Sequence, residues 1–237
     1  MGPHTIFNVI LLGGLTLLSF IVQSSLKKKM DKYQKIAVGD RSLTGAQIAE
    51  KMLHDNGITD VKVQQTNGYL SDHYDPQKKV VNLSSEIYEG NNIAAAAVAA
   101  HECGHAVQHA TSYGMLRLRS ALVPATNFSA RFAPYILLGG MGLLFASETL
   151  YYIVLPIIII GLILFGISTI FSLVTLPVEI DASRRAIAWL DSTGIAVGEQ
   201  KKQATSALKS AAYTYVVAAL GSIAHLAYYI FQIFGRR

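Results

Sequence analysis

His101-Glu102-Cys103-Gly104-His105 sets two imidazoles four residues apart, with a carboxylate directly after the first. On an α-helix, residues i and i+4 lie about 40° apart around the axis and one turn along it, so both imidazoles can reach one ion. Glu102 stands about 100° round from His101, where it can flank a metal without ligating it and act as a base towards a water there. With seven His and seven Glu in 237 residues, the three fixed letters arise by chance less often than about one time in a hundred. The plainer alternative is a helix that shows two histidines to a polar cavity and holds no metal.

His109 continues the spacing of four, but about 12 Å of helix rise and an 80° drift separate it from His101. Ligands of one tetrahedral zinc sit about 2 Å from the ion and only a few Å from one another, so His109 is expected near the site or on the surface rather than on the metal. Cys103 projects about 200° away from His101 and reads as a packing residue. A catalytic zinc takes three protein ligands and keeps a fourth position for water, so one ligand must come from elsewhere. Pro177 to Ala186 reads as the first turns of a helix with Pro177 at its start. Glu179 and Asp181 are both candidates there, but point about 200° apart. The alternative role for such acids is to complement a helix N-terminus.

The elements that must position these residues are legible in part. Thr44 can cap a helix through Gln47 to His54, with Ile48, Met52 and Leu53 on one face and Asn56-Gly57 as its stop. Val61 to Gln65 and Lys79 to Leu83 read as strands, with a polar loop, Leu70 to Pro76, between them. Asn91 or Asn92 then caps a long helix that carries His101, Glu102, His105 and His109.

Composition points to a bilayer. The chain is 51% hydrophobic and 15% charged, against about 25% charge in ordinary soluble chains, and its mean hydropathy is +0.36. Disordered and collagen-like classes are excluded by the few charges and the long apolar blocks, and the single cysteine excludes an internal disulfide framework. Apolar runs at Thr5–Leu26, Ala121–Ala146, Leu150–Leu176 and Ala211–Phe234 suggest four transmembrane helices. The organisation expected is a membrane anchor over residues 1–26, a cytoplasmic region over 27–120, a helical hairpin over 121–176, a cytoplasmic helix over 177–210 and a last span over 211–237. Of the 20 Lys and Arg, twelve fall between Leu26 and Ser120 and five between Pro177 and Ser210, which turns both segments towards the cytoplasm. An even number of spans separates His105 from Glu179, so both lie on one side. The net charge of +5 fits this loop bias, and no Arg-rich helix or RNA-binding motif speaks for nucleic acid.

The run His101 to Gln108, together with Leu176 to Ala186, resembles the YugP-type neutral zinc membrane peptidases, as do Leu70 to Pro76 and Ile93 to Ala100. Wider membrane gluzincins share H-E-x-x-H followed by E-x-x-A-D. The resemblance implies a mainly α membrane protein with a cytoplasmic α+β gluzincin-like region, and zinc on His101, His105 and Glu179. Ser183 stands where the wider pattern has Asp, which leaves Asp181 to take the place of the carboxylate that orients the first histidine. The function expected is a zinc endopeptidase in the cell membrane, with Glu102 as base, protein or peptide substrates, and either strand as a substrate-binding edge. His73, Tyr74, Arg184 and Arg185 are candidates for stabilising the oxyanion. The rivals are an intramembrane protease with Ile93 to Ala110 inserted in the bilayer, and a zinc-binding transporter or sensor without activity.

Overall fold

The computed structural model describes residues 3–39, 43–68, 71–146 and 148–235. Of the residues named above, Leu70 lies outside that set. The fold is mainly helical: α1 (Pro3–Tyr33), α2 (Gly45–Asp55), β1 (Lys62–Thr66), β2 (His73–Asp75), β3 (Val80–Ser84), α3 (Ser85–Tyr88), α4 (Ile93–Ala110), α5 (Gly114–Ala146), a 3-10 turn at Glu148–Leu150, α6 (Tyr151–Ser192) and α7 (Gly198–Phe234).

The chain divides into two compact units. One comprises residues 19–117 and 177–214, the other residues 1–18, 118–176 and 215–237. The second is all helical, with a core of Leu137, Met141, Val154, Ile158 and Ile233. Gly140 touches Ile158 there so closely that an added Cβ would come within 2.5 Å of it. Among the described residues, α6 and α7 are long and apolar enough to cross a membrane, where the sequence reading expects four spans. Asn127, Ser129 and Arg131 dilute the first half of α5, and the side chains of residues 3–10 in α1 lie outside the described set.

The first unit carries the site. Thr44 and Gln47 form a reciprocal capping box that starts α2, the arrangement that satisfies two otherwise unpaired amides. Asn92 accepts from Ala95 N–H to start α4 at 2.9 Å. The alanines Ala94 to Ala97, Ala99 and Ala100 are wholly buried. Having no side chain beyond Cβ, they let α2, with Ile48, Ala49 and Met52, and the sheet approach α4 closely. Val38 N–H to Asn91 O at 3.1 Å and Ile93 N–H to Ile36 O at 2.9 Å tie the segment after α1 to the start of this helix.

Two expectations about the elements need correction. First, β1 and β3 are parallel neighbours, and the polar loop between them contains β2, which pairs antiparallel with β3 in the order β1-β3-β2. Asp75 makes the reversal into β3, its Oδ1 accepting the amides of Gln77 at 2.9 Å and Lys78 at 3.0 Å, an Asx-type turn. The central strand, β3, is buried along its whole length, whereas β2 is too short to show alternation. Second, Pro177 does not start a helix, because α6 runs through it without a break for 42 residues. Proline forfeits one ladder bond, but Val178, Ala182 and Ala186 are fully buried on this stretch, and their packing holds the helix across the gap.

Candidate metal centre

Gly104 and Ala182 decide how closely α4 and α6 meet. A Cβ built on Gly104 would lie 2.6 Å from the Ala182 carbonyl oxygen, so only a glycine permits this backbone approach. His101 and His105 thereby face Glu179, three residues before Ala182. His101 Nε2 lies 3.2 Å and His105 Nε2 3.6 Å from the same Glu179 oxygen, Oε2. The three ligand atoms fall within 4.8 Å of one another, the imidazoles meet edge to face at 4.8 Å, and the Glu179 side chain is only 3% exposed.

The opposite ring nitrogens are also held. Gln108, fully buried, donates its amide to Val178 O at 2.8 Å and to Asp181 Oδ2 at 2.9 Å. Both partners can only accept, so the amide oxygen faces His105 Nδ1, at 3.0 Å, and that nitrogen carries the proton. Neutral His105 therefore turns an Nε2 lone pair towards Glu179. His101 Nδ1 is 3.1 Å from Ser183 Oγ, a hydroxyl able to accept the Nδ1 proton and so to leave Nε2 for the cluster. Two lone pairs and a carboxylate converging in a buried space repel one another unless a cation sits among them, either a proton or a metal ion. Two imidazoles and one carboxylate are also a donor set that suits zinc and leaves a position open. The residues present fit the metal.

The titration behaviour carries the same signature. Burial by itself would raise the Glu179 carboxyl, but hydrogen bonds to His101 and His105 and their charge outweigh it and hold it well below the usual carboxylate range. Burial would lower His105, yet the Glu179 hydrogen bond and the charges of Glu102 and Glu179 raise it.

The remaining candidates are sorted as follows. Glu102 is buried, and its Oε2 accepts the Tyr74 backbone N–H of β2 at 3.0 Å. His109 Nδ1 meets the Tyr74 hydroxyl at 2.8 Å. Cys103 is buried against the Ala49 carbonyl at 3.5 Å, and burial pushes its thiol up. His73 spends its nitrogens on Ser71 O at 2.8 Å and the Asn82 amide at 3.2 Å. Arg185 bonds Asp181 at 2.7 Å, and Arg184 lines a groove between α6 and α7. Asp181 does not replace the missing Asp at His101, where Ser183 itself stands; it reaches His105 through Gln108. Sequence reasoning passed over Gln108 and the Tyr74 amide. Gln108, three residues after His105 on one helix face, was the one with a signal, a polar side chain on the buried flank of the motif.

Residues 8–234 match the family described as "Putative neutral zinc metallopeptidase". The chain belongs to this family. It is also 43% identical over 209 residues to "Putative membrane protease YugP" of Bacillus subtilis (strain 168), covering 88% of each chain. No solved structure matches it. Membership makes the chain a zinc metallopeptidase, and His101, His105 and Glu179 are a group able to hold its ion.

Proposed function

We propose that this zinc metallopeptidase is a multi-pass membrane endopeptidase whose metal is held by His101, His105 and Glu179, with Glu102 as general base. The observation that carries the reading is the meeting of two histidine Nε2 atoms and Glu179 Oε2 within 4.8 Å, on helices that also bring Glu102 to the edge of the sheet. Zinc held there supplies a Lewis acid that acidifies a water and polarises the scissile carbonyl. The Tyr74 amide steadies one oxygen of Glu102 and leaves the other to take the proton of the attacking water. Glu102 then returns that proton to the leaving amine.

The substrate would be a peptide segment in extended form. The sheet order puts β2 at an edge, and a Tyr74 amide directed at Glu102 cannot also be directed at β3. An added strand along that outer edge would thus run beside the base, and main-chain bonds would give affinity without strict side-chain selection.

The two apolar helices and the name of the Bacillus relative support a place in the membrane. Four spans, with the residues of the site on the cytoplasmic side, account best for the twelve and five basic residues in the two connecting segments. The test is Glu102→Gln in purified full-length protein. The variant should keep about one zinc per chain and lose peptide cleavage, since the ligands remain and the base is gone. Near-normal turnover in that variant would remove Glu102 from its role, and full zinc with no cleavage even in the unaltered protein would favour a transporter or sensor.

A further inference from the structure

Between the second half of α6 and the first half of α7 lies an open groove of about 530 Å³, lined by Ile180 and Leu208 as well as Arg184 and Lys209. A second hollow of about 500 Å³ shares Lys201, Thr205 and Lys209 with it and adds Lys29 of α1. The charges here are unevenly balanced. Lys201 is paired with Asp191 at 2.7 Å and Lys202 with Glu199 at 3.1 Å. Among the described residues, no carboxylate is bonded to the other three cations. Lys29 donates to Ser210 Oγ at 2.7 Å, Lys209 lies 5.9 Å from the Tyr213 ring centre, and the Asp181 charge that Arg184 senses is already bonded to Arg185.

The polarity of the groove follows the helices. Ile180, 48% exposed, comes four residues after the apolar run that ends at Leu176, about 6 Å of rise, and Arg184 comes one turn further on. Leu208 and Lys209 immediately precede the apolar run from Ala211, and Lys29 closely follows the run that ends at Leu26. Lys29 and Lys209 thus stand within one helical turn of the ends of apolar runs, the level at which a phospholipid presents its phosphate, with the exposed Ile180 beside them. A free anion would use the cations but leave the exposed Ile180 without a partner.

We infer that this groove binds an anionic phospholipid, with its phosphate between Arg184, Lys209 and Lys29 and its first acyl carbons against Ile180. Ser183, which holds His101 Nδ1, lines the same groove, so the lipid lies one side chain from the metal centre. The site does not depend on which residues ligate zinc.

The test uses the full chain, delipidated in neutral detergent, with phosphatidylglycerol and phosphatidylcholine as probes and retained lipid read by native mass spectrometry. Phosphatidylglycerol should be retained in preference to phosphatidylcholine. Each basic group near an anionic lipid strengthens binding about fivefold, so Arg184→Gln and Lys209→Gln should each weaken retention about fivefold, and the double variant about 25-fold. Both side chains are exposed, and unchanged zinc content confirms that each variant is folded. Lys27→Gln/Lys28→Gln, which removes two exposed lysines outside the groove, should stay within about twofold of the unaltered protein. Equal retention of the two lipids, an equal loss in the Lys27/Lys28 control, displacement of the lipid by inorganic phosphate alone, or an acidic peptide binding where phosphatidylglycerol does not would each overturn the inference.

Discussion

Gln108→Leu removes an amide of similar volume from a fully buried position and isolates what that amide does. Three partners lose it: His105 Nδ1, the Val178 carbonyl and Asp181. They do not lose equally. Asp181 keeps Arg185 at 2.7 Å, and Val178 lies inside a helix, where its carbonyl has a ladder partner. The Nδ1–H of His105 has no such second partner among the described residues, and a buried donor left unsatisfied costs about 1–3 kcal/mol. The imidazole can escape that cost by rotating or by shifting its proton to Nε2, and either move removes the lone pair from Glu179. Loss of such an outer partner typically weakens metal affinity about 10- to 100-fold, and Gln108→Leu should fall in that range when zinc is titrated against a chromophoric chelator at fixed pH. Gln108→Glu keeps an acceptor for His105 but sets a carboxylate against Asp181. It should hold zinc within a few-fold of the unaltered protein while lowering the melting temperature. The reasoning fails if Gln108→Leu binds zinc normally and loses only stability, or if the Glu variant loses as much zinc as the Leu variant.

The metal-free protein should show an unusual pH dependence. His105 is raised above the ordinary imidazole value of 6.5 by its carboxylate neighbours, so its proton contributes stability that is complete below 6.5 and is lost as pH climbs through the higher folded value. Chelator-treated protein should therefore melt at a lower temperature near pH 9 than near pH 6, while zinc retention should run the other way, because protons compete with the metal for the imidazoles; a metal-free form that grows more stable across that interval contradicts the coupling. Sidedness is open to labelling because Cys103 is buried and gives little background. A cysteine introduced for the exposed Glu199 should resist an impermeant thiol reagent in intact cells and react after lysis, and labelling from outside would move the site to the opposite face.

Helix starts were the part of the fold most legible in the sequence, since the capping side chains of Thr44 and Asn92 lie within three residues of the amides they satisfy. The facing of His101 and His105 was legible for the same reason, being a matter of helix geometry alone. Strand pairing was not. The contact of β1 with β3 joins Lys62 to Val80, and no local signal separates a parallel neighbour from a hairpin partner. Pro177 misled in the same way, because a local rule predicted a helix start where the buried face of Val178 and Ala182 carries α6 through. The outer partners of the histidines come from tertiary contact. Ser183 and Gln108 are ordinary polar letters until Gly104 allows α4 to touch α6.

The most direct measurement is zinc content and peptidase rate for Glu179→Ala beside Asp181→Ala, at one pH and at several zinc concentrations. Glu179 supplies an atom 3.2 Å from His101 Nε2, whereas Asp181 acts only through Gln108. Glu179→Ala should be largely empty and inactive even in excess zinc. Asp181→Ala should refill, with affinity or rate lowered about 10- to 100-fold. A Glu179→Ala protein that stayed loaded and active while Asp181→Ala lost its metal would contradict the assignment of the third ligand, and with it the centre as drawn.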